Sequence, residues 1–244
     1  MAFDPYASPQ HPAVGYQRWR DLLFLHWTIP VEVLRPRIPA GLEIDTYDGQ
    51  AYLGLVPFFM DAVRPRFLPP VPGLSWFLEL NIRTYVRDAE GRPGVWFFSL
   101  DCDNAVAVQI ARAAFNLPYQ HARMSAQRDP ESLIRYQCQR KGQPSQTSLH
   151  YRPAPNSELK TASAGSLDHF LLERYLLFSQ NRKGDLYWGQ VHHPPYQYQP
   201  ADVPVFDKKA FEWENFTLSG PPVSQLFSPG PAVTIHPLQP VAGA

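Results

Sequence analysis

Two cysteines, Cys102 and Cys138, are all the chain has. A disulfide framework needs more, and a domain of this size does not rest on one bridge, so both read as reduced, buried thiols. No Cys/His cluster has zinc-site spacing, and neither a metal nor another cofactor is expected. Net charge is absent as well: Lys plus Arg and Asp plus Glu each number 22. That balance gives no basic face for nucleic acid or an anionic membrane, and no acidic tail. The most apolar N-terminal run, LLFLHWTIP at residues 22–30, is too short to span a bilayer, and no small-residue cleavage site follows it. The expectation is a soluble, cytoplasmic protein. A Gly-rich phosphate loop, a serine elbow and a paired-carboxylate motif are also missing, which removes the commonest phosphoryl-transfer and hydrolytic signatures.

Proline and aromatic residues are plentiful, at 27 residues and 14% of the chain. Proline is at roughly double the usual ~5%, but it lies between apolar runs and so punctuates a fold. Residues 1–15 read as a loose arm and residues 16–240 as one domain, with no repeat or linker. YQRWRDLLFLHWTIP starts as a helical turn and becomes a strand near Leu23. A short helix signal at residues 30–34 is followed by alternation at Leu42, Ile44 and Thr46, then by Asp48-Gly49, a hairpin signal. RFLPPVPGLS forms a rim or lid loop. Residues 76–102 form two strands around DAEGRPG. Asp103 or Asn104 caps a helix to about Phe115, with Ala105, Val108, Ile110, Ala111 and Ala114 inward. Three strands follow, at 121–127, 132–140 and 145–152. A second helix, SLDHFLLERYLLFSQ, is capped by Ser166 and carries Leu167, Phe170, Leu171, Tyr175 and Phe178 on one face. The sum is a mainly β (α+β) single domain, a β-barrel closed on itself, with two or three helices.

FLELNIRTYV, residues 77–86, has two unlike faces at period two. Leu78, Leu80, Ile82, Thr84 and Val86 form a core face. Phe77, Glu79, Asn81, Arg83 and Tyr85 form neither core nor ordinary surface, because burying Glu, Asn and Arg unpaired costs several kcal/mol. This face either lines an interior pocket or belongs to an ion-pair network that pins the fold. Glu79 and Arg83 are ~13 Å apart along a strand, so their partners come from neighbouring strands; Asp101 and Ser99 are the candidates on the next one.

LFLHWTIPVEVLRPRIPAGLEIDTYDGQAYLGLVPF, FLELNIRTYV, GVWFFSLDCDNAVAVQIARAAFNLPY and LLERYLLFS together resemble the YqjF-like family, a domain of unknown function, over about residues 15–240. That family resembles in turn the acetoacetate decarboxylase-like superfamily, which implies a cone-like β-barrel with an interior pocket. The resemblance places the decarboxylases' strand glutamate at Glu79 and their helix arginine at Arg112. Their Pro-Lys-Lys run falls on Pro118-Tyr119-Gln120. A Schiff base needs an amine whose pKa is depressed, and Tyr119 and Gln120 have none. The five lysines elsewhere do not replace it: Lys141, Lys160 and Lys183 fall in turns or polar loops, and Asp207 and Glu212 keep Lys208 and Lys209 charged.

The candidate site is therefore Glu79 and Tyr119 for proton transfer, with Asn81, Arg83, Tyr85, Arg112, Gln120 and His121 for ligand contact. His192-His193 lacks further metal ligands, and His26 reads as a core histidine. Three functions remain open: a module binding a small polar or carboxylate-bearing molecule, a lysine-independent enzyme of lyase or hydrolase type on an oxo or carboxylic acid, or a structural protein with no ligand. The partner expected is a small molecule, with homo-oligomerisation left open.

Overall fold

The structure is a computed structural model that describes residue 4 and residues 6–241. It is mainly β, with fifteen strands and four short helices among those residues. The strands are β1 (Gly15–Arg20), β2 (Leu22–Ile29), β3 (Leu42–Ile44), β4 (Ala51–Pro65), β5 (Phe77–Asp88), β6 (Pro93–Cys102), β7 (Tyr119–Arg128), β8 (Ile134–Arg140), β9 (Thr147–Pro153), β10 (Leu176–Gln180), β11 (Leu186–His192), β12 (Gln199–Phe206), β13 (Ser224–Ser228), β14 (Ala232–Ile235) and β15 (Gln239–Pro240). The helices are α1 (Val31–Leu34), α2 (Ala105–Phe115), α3 (Leu167–Leu172) and α4 (Lys209–Glu212). No described helix is long and apolar enough to cross a membrane.

The pairings run in two circuits. One passes β6-β7-β8-β9-β12-β13-β2-β4-β5 and returns to β6. The other passes β1-β14-β11-β10-β6-β5-β4 and returns to β1. β4, β5 and β6 belong to both, so both faces of β5 are covered. Leu78, Leu80 and Ile82 pack with Leu23, Leu25, Trp27, Tyr136, Tyr151 and Phe211 in the main core. The opposite face meets α2, α3 and the segment around Tyr196.

A bulge interrupts the β5–β6 ladder. Ile82 faces Ser99 but Arg83 faces Phe97, leaving Phe98 as the extra residue. Facing residues share a side of a sheet, so Asp101 opposite Leu80 points into the main core. This corrects the placement of Ser99 and Asp101 beside Glu79 and Arg83. Asp101 instead accepts two hydrogen bonds from the Arg140 guanidinium, at 2.7 and 2.8 Å.

Other expectations change for tertiary reasons. The second helix stops at Leu172, because Leu176–Gln180 pairs with β11 and, in parallel, with β6. A run buried on both sides carries no helical signature that local pattern can separate from a strand. Only Val108 is buried in α2, and Ile110 is 60% exposed, because the helix lies on the surface and presents one ridge inward. Its cap is Asn104, whose side chain accepts from Val106 and Ala107 N–H. Asp48-Gly49 makes a turn bridged at Tyr47 and Gln50, but Leu42–Ile44 pairs with β5 instead of completing a hairpin. The first segment is strand throughout, bent at Asp21 with φ 54°. Of the arm, Tyr6 packs edge-on against Tyr175 at 5.3 Å and Val14 N–H donates to Ile235 O at 2.8 Å; residues 1–3 and 5 lie outside the described residues.

Replacing Asp101 by leucine leaves the Arg140 guanidinium buried with Glu214 alone. The expected cost is ~3 kcal/mol, measured as a lower urea midpoint at unchanged m-value.

Candidate functional site

Glu79, Asn81, Arg83 and Tyr85 project from the odd face of β5, and all four are buried. Their setting is made by three neighbours. β6 sets Leu100 opposite Asn81 and Cys102 opposite Glu79. β4 sets Phe58 opposite Glu79 and Gly54 opposite Arg83. α2 then ends at Asn116, in the left-handed conformation at φ 51°, and the chain turns through Pro118 into β7. That turn sets Tyr119 beside Leu100 and sends its side chain into the cluster of Leu100, Cys102, Val108 and Leu117.

The Tyr119 hydroxyl donates to Glu79 Oε2 at 2.7 Å, and Asn81 Nδ2 donates to Oε1 at 3.4 Å. Burial outweighs both bonds and pushes the Glu79 carboxyl up to about 7. Burial and the adjacent carboxylate raise the Tyr119 phenol well above its ordinary value, so it remains a hydrogen-bond donor. A carboxyl that titrates near neutrality beside a fixed phenol can take up or deliver a proton.

Farther along the strand, Arg83 and Tyr85 meet His26. A Cβ on Gly54 would stand 3.1 Å from the His26 ring and 3.5 Å from Arg83 Cγ, so the glycine makes room for both. Tyr85 OH donates to Leu171 O at 2.9 Å and lies 2.7 Å from His26 Nε2. Arg83 donates to the same carbonyl at 3.3 Å, and its guanidinium lies over the Phe24 and Tyr85 rings at 5.3 and 5.7 Å. Asn81 Oδ1, Arg83 Nε and His26 Nδ1 are buried without a partner among the described residues.

Arg83 differs from the other buried arginines. Arg140 pairs with Asp101 and Glu214, and Arg174 with Asp45 at 2.6 Å. Arg83 is 9% exposed and forms no ion pair among the described residues. Phe24 and Tyr85 return only part of what its burial costs.

Arg112, Gln120 and His121 are placed elsewhere. Arg112 is exposed and its Nε donates to Tyr119 O at 2.7 Å, with Gln120 Oε1 at 3.3 Å from NH2. It lies between two surface recesses of about 490 and 330 Å³, the second of which also carries Gln120 and His121. Arg112 and Gln120 therefore flank the backbone that carries Tyr119, while His121, opposite Cys102 on the Glu79 side of the sheet, is exposed at the second recess. His193 stacks on Tyr175 at 4.5 Å, and its Nδ1 lies 2.8 Å from Pro194 O. No group of three or more His, Cys, Asp or Glu among the described residues could hold a metal ion. Lys141, Lys160, Lys183 and Lys209 are exposed, and the Lys208 ammonium donates to Leu218 O at 3.0 Å. His26, read from the sequence as a core histidine, is fully buried, with its Nε2 2.7 Å from Tyr85 OH.

The fold is that of acetoacetate decarboxylase-like proteins. An acetoacetate decarboxylase from Legionella pneumophila superposes with a TM-score of 0.65 at 13% identity, covering 96% of this chain and 90% of that one. The enduracididine biosynthesis enzyme MppR, complexed with the condensation product of pyruvate and imidazole 4-carboxaldehyde, superposes with a TM-score of 0.65 at 14% identity, covering 94% and 90%. In sequence, the uncharacterized protein YqjF of Bacillus subtilis is 42% identical over 189 residues, 78% of this chain and 76% of that protein. The family model of DUF2071, described as an uncharacterized conserved protein, matches residues 16–232. The chain belongs to the DUF2071 family.

Glu79→Gln tests the buried carboxyl. A group whose folded-state pKa is raised favours its protonated form in the native state. Its ionisation in the unfolded chain then costs stability as pH rises from the ordinary carboxyl range to about 7. Glutamine mimics the protonated form at every pH. The variant is expected to match the parent in urea denaturation at pH 4 and to exceed it by ~3 kcal/mol at pH 8.

Proposed function

We propose that the double circuit of strands forms a closed β-barrel with an interior site that binds a small carboxylate-bearing molecule. The observation that carries this reading is Arg83, a buried guanidinium with no counter-ion among the described residues. A ligand carboxylate can accept from its Nε–H, the unpartnered donor. Asn81 and the Glu79–Tyr119 pair continue the same row, where they meet the rest of the molecule.

A second reading, a lysine-independent enzyme on an oxo or carboxylic acid, draws on the near-neutral Glu79 carboxyl held by Tyr119. The MppR complexes with pyruvate and with a pyruvate condensation product support a small acid as ligand class. Schiff-base chemistry is not part of the proposal, since no lysine lies beside Glu79 or Arg83.

Titration calorimetry with short-chain carboxylates is expected to give binding that Arg83→Met abolishes. The same substitution should leave the free protein's unfolding free energy unchanged or raise it by up to ~2 kcal/mol, since an unpaired buried charge is removed. A large loss of stability, with no carboxylate bound by the parent, assigns Arg83 to the scaffold instead. Borohydride added with pyruvate should leave the protein mass unchanged; a covalent adduct would refute the lysine argument.

A further inference from the structure

The larger surface recess, about 490 Å³, lies between the second half of α2 and the turn that joins β10 to β11. Gln109, Arg112 and Asn116 stand on its helical wall, and Asn181, Arg182 and Lys183 on the other. Three cations line it and no acid does, in a chain whose opposite charges balance at 22 each. None of the three forms an ion pair among the described residues.

Both walls are held in place. Arg112 Nε donates to Tyr119 O at 2.7 Å, and its NH2 lies 3.3 Å from Gln120 Oε1. Those contacts fix the guanidinium plane and leave its NH1 hydrogens without an acceptor among the described residues. Both acceptors lie beyond α2, so the arginine is not used up on the last carbonyls of its own helix. On the other wall, Asn181 Oδ1 accepts from the Lys183 and Asp185 N–H groups at 2.8 and 3.0 Å, and Asn181 O accepts from Gly184 N–H at 3.1 Å. Gly184 closes the turn at φ 94°. Asp185, the acid of this turn, accepts from Asn181 Nδ2 at 2.8 Å and does not line the recess. Arg182 and Lys183 are thus exposed side chains on a fixed backbone.

A held guanidinium edge facing two further cations suits an anion of more than one charge. A carboxylate offers one charge and two coplanar oxygens, which Arg112 alone would satisfy. A phosphate monoester carries nearly two charges near neutral pH and three terminal oxygens, so it can accept from both walls at once. The neighbouring Gln109 and Asn116 amides suit a polar ester group better than an acyl chain. We propose that this recess binds the phosphate of a small, soluble phosphate monoester, held between Arg112 on α2 and Arg182 and Lys183 on the turn. The site is separate from the β5 row and does not rest on the carboxylate-binding reading above.

Glycerol 3-phosphate is the probe, with glycerate and glycerol beside it. In calorimetry at low salt, glycerol 3-phosphate is expected to bind about tenfold more tightly than glycerate, and glycerol not at all. Added salt should weaken the binding, because the recess is open to solvent. Arg182→Glu with Lys183→Glu should abolish it. Lys160→Glu with Lys209→Glu changes the net charge equally at exposed residues that line neither recess, and should leave most of the affinity. Arg83→Met should leave it intact, which separates this result from the fate of the carboxylate site. Amide chemical shifts of the unsubstituted protein locate the ligand without any variant: those of residues 109–116 and 181–185 should move. Equal binding of glycerate, binding that survives the Arg182 and Lys183 reversal, shifts confined to other residues, or no binding overturns the proposal. Sedimentation with phosphatidic acid vesicles, with no binding of the soluble ester, overturns it in favour of a membrane surface.

Discussion

Membership of two closed circuits keeps the stretch of β5 from Leu78 to Val86 out of water. Every polar side chain on it must find a partner inside the protein or remain without one. Glu79 finds Tyr119, Thr84 finds the Tyr52 carbonyl, and Tyr85 finds Leu171 and His26. Arg83 finds one carbonyl and two aromatic faces, and no carboxylate. The inequality between Arg83 and its paired counterparts Arg140 and Arg174 separates groups that hold the scaffold from a group whose cost the scaffold does not offset.

The two ends of the row have different chemistry for the same reason, enclosure. At one end burial keeps a carboxyl near neutrality and holds a phenol against it. At the other, burial keeps an imidazole neutral and leaves a guanidinium exposed to aromatic faces. Asn81 joins them, donating to the carboxyl with one end of its amide. Glu79 and Arg83 thus share one face of a strand without an ion pair between them. Arg112, meanwhile, ties the main chain of Tyr119 to the surface of α2, so the phenol is held from outside as well as from within.

The two-faced alternation of β5 was legible from period two alone, since three polar or charged groups between Phe77 and Tyr85 fit neither core nor surface. Strands β7, β8 and β9 were legible from their turns. That Tyr119 comes near Glu79 was legible only through family resemblance, because 40 residues separate them. Three features left no local trace. The run after Leu172 becomes strand β10 only because β11 and β6 are there to pair with it. β12 and β13 are broken by proline or short, and pair with distant segments. The contact of His26 with Tyr85 joins strands 59 residues apart in sequence.

The bulge at Phe98 bears on how such a fold can diverge. Were Phe98 paired in step with Ile82 instead of bulged out, Asp101 would stand opposite Glu79 instead of Leu80. Two acids would then share one side of the sheet, and Arg140 would keep only Glu214 on the other. Deleting Phe98 would leave Asp101 opposite Leu80, whereas flattening the bulge with its residue retained would move a negative charge through the sheet without altering any side chain.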